Sequence, residues 1–405
     1  MAYIWGGGIN LKCSLYCERC GNREEELFYC DRGTWYCRRC IAFGRIDANH
    51  KPVRPQWEKK RYDLTYHLPY EMTEQQKEAA RKTCAFLKQG MHVLIYAATG
   101  AGKTELTMDA IVQYLRDGKR VGFAISRRQV VLEIAQRLQE AFPAIKVRPV
   151  CEGHTKDIFA DLIVCTMHQL YRYPGCFDLL IMDEVDAFPY CGNEVLKKIA
   201  MDACCGELLY LTATPDELLQ KEVEKGNIQE ITLFQRPHRH PLVIPKVVKA
   251  PSVILYVALY RFLLQNIRSH KQTLVFVPTI RLASWCGKCF SIICSCGSLS
   301  SENRDRDEIL DLFRARKMDV LFATTVLERG ITIPDVQVAV LYSEHAVFTA
   351  ASLIQMIGRT GRKKEHPDGK GLFLCRYETK QQKQCLKELE KMNASLKKED
   401  HHETL

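Results

Sequence analysis

The octet Ala97-Ala98-Thr99-Gly100-Ala101-Gly102-Lys103-Thr104 sits between an apolar run at 92–96 and an amphipathic stretch at 105–116. Small residues around two glycines let consecutive backbone N–H groups turn inward at the mouth of a helix, which makes a nest for a phosphate. In such a nest Thr99, Gly100, Ala101 and Gly102 form the cradle, Lys103 reaches the terminal phosphates, and the Thr104 hydroxyl ligates Mg²⁺. Ala97 stands where the usual pattern begins with glycine. A loop of this kind needs a strand behind it and a helix packed on that strand's sheet, so it commits its surroundings to an α/β layer.

The flanking pattern agrees. From Thr73 onward, apolar runs at 92–97, 120–124, 161–165, 179–182 and 208–211 alternate with amphipathic stretches, as parallel strands with crossover helices do. A second alternating series has its strands at 273–277, 319–323, 337–342 and 371–375. Between the two series, Pro237, Pro241, Pro245 and Pro251 suit neither a helix nor a central strand. The division that follows is a small module with its linker at 1–66, an α/β domain at 67–235, a proline-rich linker at 236–251, a second α/β domain at 252–378 and a charged helical tail at 379–405. A chain of 405 residues accommodates this, and 46% hydrophobic residues exclude a mainly disordered or collagen-like protein. The net charge of +10 favours a polyanionic partner without naming one. The longest apolar candidate for a membrane span, 253–264, is short and contains Arg261, and 1–11 lacks the marks of an export signal. The expected location is therefore the cytosol.

Asp183-Glu184-Val185-Asp186 follows the apolar run 179–182, so its acids emerge at a strand's C-terminal end, where open α/β sheets bind ligands. In the same domain as a phosphate loop, Asp183 would hold Mg²⁺ and Glu184 would orient or deprotonate an attacking water. The chemistry these residues fit is ATP hydrolysis.

The first 66 residues hold six of the 19 cysteines. Cys17 and Cys20, then Cys37 and Cys40, form two Cys-x-x-Cys pairs at the spacing of a tetrahedral Zn²⁺ site. Cys13 and Cys30 are left over and could substitute as ligands. A hairpin is expected across Asp31-Arg32-Gly33, and so small a module needs its metal to hold a core. Arg19, Arg38 and Arg39 supply the positive setting that thiolates favour. Tyr16, Tyr29, Trp35 and Tyr36 suit either base stacking or the module's own core, and both readings stay open. Cys286, Cys289, Cys294 and Cys296 form a second cluster. Its first pair lies at helical spacing and its second alternates along a strand, which predicts apolar packing.

Further strings appear in a recognisable order: Met72-Thr73-Glu74-Gln75-Gln76, Ser126-Arg127-Arg128, Thr166-Met167-His168-Gln169-Leu170, Thr212-Ala213-Thr214, Val275-Phe276-Val277-Pro278-Thr279, a stretch from Ala323 to Thr332, and Gln355-Met356-Ile357-Gly358-Arg359-Thr360-Gly361-Arg362. Over about residues 70–378 the chain resembles a superfamily 2 helicase core. The resemblance implies two tandem RecA-like domains with parallel sheets behind the zinc module, and a nucleotide at their interface. It implies that Gln76, or Gln75, reads adenine. It further implies that Asp186, Thr212, Thr214 and Gln355 couple hydrolysis to domain movement, and that Gly330 lies beside the nucleotide. Arg127, Thr166, His168, Thr279, Thr324 and Thr325 would contact a nucleic-acid backbone. Arg359 and Arg362, read as lying three apart on one helical face, would reach the γ-phosphate as arginine fingers do. Gly358 and Gly361 weaken a helix without a visible structural benefit, which favours that reading.

Valine at the third position of the acidic box and an arginine motif opening on glutamine disfavour a DEAD-box RNA helicase. The four-cysteine module, the run Tyr36 to Arg45, the box at 183–186 and Leu327-Glu328-Arg329-Gly330 are similar to the late-competence ComFA family. That resemblance implies an ATP-driven, single-stranded DNA translocase serving uptake of transforming DNA. It also implies a ComFC-like phosphoribosyltransferase-family partner and a peripheral position at a membrane DNA-uptake channel; self-association is left open. Two rival readings are a duplex-unwinding enzyme resembling PriA and a non-hydrolysing, nucleotide-gated binding module. The N-terminal place of the cysteines opposes the first, and Glu184 opposes the second.

Overall fold

The computed structural model describes residues 14–300, 302–303, 305–327, 335–361 and 369–402, without the side chains of 326 and 397–402. Cys13, Gly330 and Arg362 lie outside the described residues.

The N-terminal module is a hairpin, β1 (Phe28–Asp31) and β2 (Thr34–Cys37), turning at Arg32-Gly33 and paired in antiparallel register from Phe28↔Cys37 to Asp31↔Thr34. Gly33, at φ 84°, supplies the left-handed residue that the tight turn requires. An extended strap then crosses the first domain and is pinned along its way. The Arg120 guanidinium lies 4.1 Å from the Trp57 ring and donates to the Trp57 carbonyl at 2.6 Å. Arg116 donates to the Leu64 carbonyl at 2.7 Å, and the Tyr62 hydroxyl bonds Asp161.

The first domain contains α1 (Glu74–Lys88), β3 (His92–Ala97), α2 (Met108–Arg116), β4 (Val121–Ile125), α3 (Arg128–Ala141), β5 (Val147–Val150), β6 (Leu162–Thr166), β7 (Phe177–Asp183), α4 (Glu194–Ala203), β8 (Cys204–Thr212), α5 (Glu217–Glu224) and β9 (Ile228–Leu233). Its strands form one parallel sheet in the order β5-β6-β4-β7-β8-β3-β9. β4 and β6 are buried along their whole length because helices cover both faces of the sheet, which is why such strands read as continuous apolar runs.

The second domain contains β10 (Lys246–Lys249), α6 (Ser252–Arg268), β11 (Gln272–Phe276), α7 (Ile280–Phe290), β12 (Cys296–Leu299), α8 (Arg306–Arg314), β13 (Val320–Ala323), β14 (Val336–Leu341), α9 (Ala350–Ile357), β15 (Gly371–Cys375) and α10 (Lys380–His402). Its sheet is parallel as well, in the order β10-β15-β14-β11-β13-β12. The proline-rich connection is thus not strand-free. Four residues free of proline, Lys246–Lys249, add β10 to the sheet's edge, where prolines on either side do no harm. α10 also reaches the first domain, where the Tyr96 hydroxyl donates to Glu388 at 2.8 Å, and the linker, where Asn393 exchanges two hydrogen bonds with the Leu242 backbone. The expected architecture, two parallel-sheet α/β domains behind a four-cysteine module, is the one observed.

Candidate nucleotide and zinc sites

The loop 97–104 leaves the end of β3, with Gly100 at φ 83° and Gly102 at φ 87°. A Cβ on Gly102 would run into the Gln76 carboxamide, so glycine is required there by a close approach as well as by φ. Gln76 is 2% exposed and both ends of its amide are engaged. Its oxygen accepts from the Thr73 N–H at 2.9 Å, completing the capping box of α1, and its NH₂ donates to the Ala101 carbonyl at 2.9 Å. The glutamine assigned to adenine therefore also buttresses the phosphate loop. The Lys103 ammonium donates to the loop's own carbonyls at Ala97 and Ala98, 3.1 and 3.3 Å away. Thr104 is buried at the start of the helical turn leading into α2. Next to it the buried Glu105 carboxylate is held by Tyr70, at 2.6 Å, and by Arg137.

β7 carries Asp183 to the sheet's C-terminal edge, and Glu184 follows in the left-handed region at φ 54°. That conformation costs a non-glycine residue about 1–2 kcal/mol. It is held by the Glu184 N–H, which donates to Asp183 Oδ1 at 2.8 Å and to the Leu211 carbonyl at 3.0 Å. Burial, and then the neighbouring Glu184 carboxylate, push Asp183 up to about 7, while the Lys103 ammonium draws it back. The buried Asp183 carboxylate, with the half-buried Glu184 beside it and the Lys103 ammonium near, forms a donor set suited to a hard divalent cation. Asp186 turns the other way. Its carboxylate accepts from the Thr212 and Thr214 hydroxyls, each at 2.7 Å, and so ties the acidic box to the end of β8. These three residues, assigned jointly to coupling, are joined in the structure. Asp186 and Thr214 also line a cavity of about 260 Å³ whose opposite wall is Thr349, Ala350 and Ile354 at the start of α9.

α9 ends at Ile357, so Arg359 lies in the turn beyond it and not on a helical face. The glycines do have a structural benefit: a Cβ at Gly358 would overlap the Thr99 side chain, and Gly361 adopts φ 59°. The turn that carries Arg359 is thereby pressed onto the phosphate loop. Gln355 is buried on α9. Among residues assigned to a nucleic-acid backbone, Arg127 and Thr166 sit at the C-terminal ends of β4 and β6, and Thr279, Thr324 and Thr325 just beyond β11 and β13. They occupy the same edge of their sheets as the acidic box. Thr279 caps α7, accepting from the Leu282 N–H at 3.2 Å. The His168 ring stacks on Phe43 of the N-terminal module, 6.1 Å between centroids, and burial holds its pKa below the usual value.

In that module the sulfurs of Cys17, Cys20, Cys37 and Cys40 all lie within 4.8 Å of one another, and all four residues are buried. Cys17 to Cys40 and Cys20 to Cys37 are each 3.6 Å. A Zn–S bond of about 2.3 Å implies tetrahedron edges of about 3.8 Å, so the cage fits zinc. Cys30 is exposed outside the cage. Gly21, at φ 72°, donates its N–H to the Cys17 carbonyl at 2.8 Å and makes the knuckle. Thiol donors from Cys20 and Cys40 hold the Cys17 thiol well below its usual pKa, favouring a thiolate. Arg19 is buried and donates to the Phe43 and Gly44 carbonyls at 2.8 and 3.0 Å, so it is structural. Tyr29 and Trp35 are 52% and 44% exposed; the module's core is the four cysteines with Phe28 and Ile46, not these aromatics.

A phosphate loop, an acidic box joined to a Thr-Ala-Thr string, and an arginine turn shared across two parallel sheets define an ATP-hydrolysing superfamily 2 helicase or translocase. Family models agree along the chain: Competence protein ComFA N-terminal domain over residues 7–53, Type III restriction enzyme, res subunit, over 69–217, and Helicase conserved C-terminal domain over 255–364. Competence protein ComFA of Bacillus subtilis (strain 168) is 32% identical, with 93% of this chain and 85% of that protein covered. Its counterpart in Streptococcus pneumoniae (strain ATCC BAA-255 / R6) is 32% identical, with 94% and 91% covered. The chain belongs to the ComFA family. Its fold is also that of S. cerevisiae Dbp5 bound to RNA and ADP BeF3, at TM-score 0.56 and 18% identity over 79% of this chain and 91% of that one. RecG bound to a three-way DNA junction gives 0.57 and 20% over 80% and 45%. Among the described residues no helix is long and apolar enough to cross a membrane.

Proposed function

We propose that this competence-related ATPase moves along single-stranded DNA and draws transforming DNA into the cell. The observation that carries the reading is the Asp186 carboxylate, shared by the Thr212 and Thr214 hydroxyls beside the cavity that α9 closes. That link ties the acidic box to the end of β8, at a cavity whose far wall is the start of α9 in the second domain, so a change at the box would reach the face the two domains share, which a motor needs and a simple nucleotide-binding protein does not. Lys103, Thr104 and the loop 99–102 would hold the triphosphate, Asp183 and Thr104 would hold Mg²⁺, and Glu184 would take a proton from the attacking water. The chemistry Mg²⁺ would supply when held there is neutralisation of the phosphate charge. Arg359, with Arg362, meets the charge that develops on the γ-phosphate. The rim formed by Arg127, Thr166, Thr279, Thr324 and Thr325 grips backbone in preference to bases, so binding should be sensitive to salt and tolerant of sequence. A ComFC-like partner and a peripheral station at the uptake channel, which the family resemblance implies, are part of the same proposal.

Phosphate release with single-stranded DNA, duplex DNA and RNA tests the reading. Single-stranded DNA should raise turnover about tenfold or more, Glu184→Gln should lower kcat by about 10²–10⁴-fold, and Lys103→Ala should abolish turnover. Equal rates with and without every polynucleotide would refute it, and ATP-dependent strand displacement would favour the duplex-unwinding alternative.

A further inference from the structure

Arg236 has the largest fully buried side chain among the described residues, and it stands where the chain leaves β9 for the second domain. Its guanidinium donates to four backbone carbonyls. Nε reaches Thr99 at 2.9 Å, Nη1 reaches Thr360 and Gly361 at 2.9 Å each, and Nη2 reaches Gly358 at 3.1 Å. One acceptor belongs to the phosphate loop, and the other three to the turn after α9. Carbonyls at a helix C-terminus lack intrahelical donors and carry the negative end of the dipole, so a cation with a rigid fork of N–H groups is their complement. Gly358 lies against the Thr99 side chain with no room for a Cβ, so the loop and the turn are held in one fixed relation.

We infer that Arg236 is a positioning residue for ATP hydrolysis: it sets Arg359 against the phosphate loop. Arg359 lies between Gly358 and Thr360, whose carbonyls Arg236 grips on both sides, so the peptide bearing the second arginine is fixed relative to Thr99 by the first. The inference rests on the ATP-site reading above. It separates two steps that the loop alone would leave joined. Of its four bonds one reaches the phosphate loop and three reach the turn, so its loss should fall mainly on the placement of Arg359 while Lys103, Thr104 and the loop N–H groups keep their own hold on nucleotide. Lysine cannot substitute, because three N–H bonds around a single nitrogen do not span acceptors in two domains.

The test uses the full-length protein, its Arg236→Lys variant and Gly358→Ala, which keeps Arg236 but pushes the turn off Thr99. Steady-state ATP turnover with single-stranded DNA is measured beside titration with a fluorescent ADP analogue. Arg236→Lys should lower kcat about tenfold or more, while KM for ATP and the analogue's Kd stay within about threefold and binding stays near one per chain. Gly358→Ala should give the same split, and it decides the matter if Arg236→Lys does not fold. Wild-type kcat in either folded variant, or a fall in turnover matched by a fall in nucleotide binding, would overturn the inference. A parent protein that binds no nucleotide would remove the ATP-site reading and this inference together; an active parent with indifferent variants removes this one alone.

Discussion

Two groups of four cysteines occur in this chain, and they behave differently. Cys17, Cys20, Cys37 and Cys40 converge into a sulfur cage. Cys286, Cys289, Cys294 and Cys296 are closer still in sequence yet make no such cage among the described residues. Backbone geometry separates them. A knuckle at Gly21 and a two-residue hairpin turn aim the first four inward. In the second group Cys286 and Cys289 ride on α7, while Cys294 and Cys296 follow its end, and the thiols of the latter two donate to the Phe290 and Gly287 carbonyls at 3.6 and 3.0 Å. Burial pushes the Cys286 and Cys294 thiols up to about 12, so they behave as small apolar groups. Two pairs at suitable intervals identify a metal site only when each pair sits on a turn that points its sulfurs at the other.

Metal removal gives the largest expected effect. The protein should carry one zinc per chain, lost in Cys37→Ser or on strong chelation. Since structural zinc supplies about 10–16 kcal/mol to such modules, the N-terminal segment should then become protease-sensitive while the α/β domains stay folded. Metal analysis with limited proteolysis checks this, and zinc that persists in Cys37→Ser would break the contrast. Alkylation sharpens it: the holoprotein should react at exposed Cys30, Cys191 and Cys205, and chelation should add the four cage thiols but not Cys286. Smaller is Cys286→Ser, which places a hydroxyl in an apolar core and should cost about 1–3 kcal/mol in urea denaturation with zinc content unchanged. Cys289→Ser, partly exposed, should stay within about 0.5 kcal/mol.

Sequence legibility followed the range of the forces involved. The phosphate loop, the box after β7 and the zinc pairs were readable because their partners lie within a few residues or at fixed spacing. β5 and β9 carry no clear strand signal. β5 contains Pro149, and β9 is an edge strand whose polar residues break the apolar run. The end of α9 differs from the helical expectation because Gly358 and Gly361 answer to Thr99 and to backbone handedness, neither of which local propensity reports. Arg236 escaped notice inside a proline-rich stretch, since its acceptors are 122 to 137 residues away. Its only local trace is an arginine directly before Pro237.

The stacking of Phe43 on His168, its contact with Tyr171 at 5.5 Å, and the anchored strap along 54–66 fasten the N-terminal finger to one jaw of the engine. When the jaws part, the finger must travel with its own jaw, so its displacement relative to the other jaw reports every stroke. A distance probe with one label on the finger and another on α6 would therefore follow the stepping cycle without touching the fuel crevice.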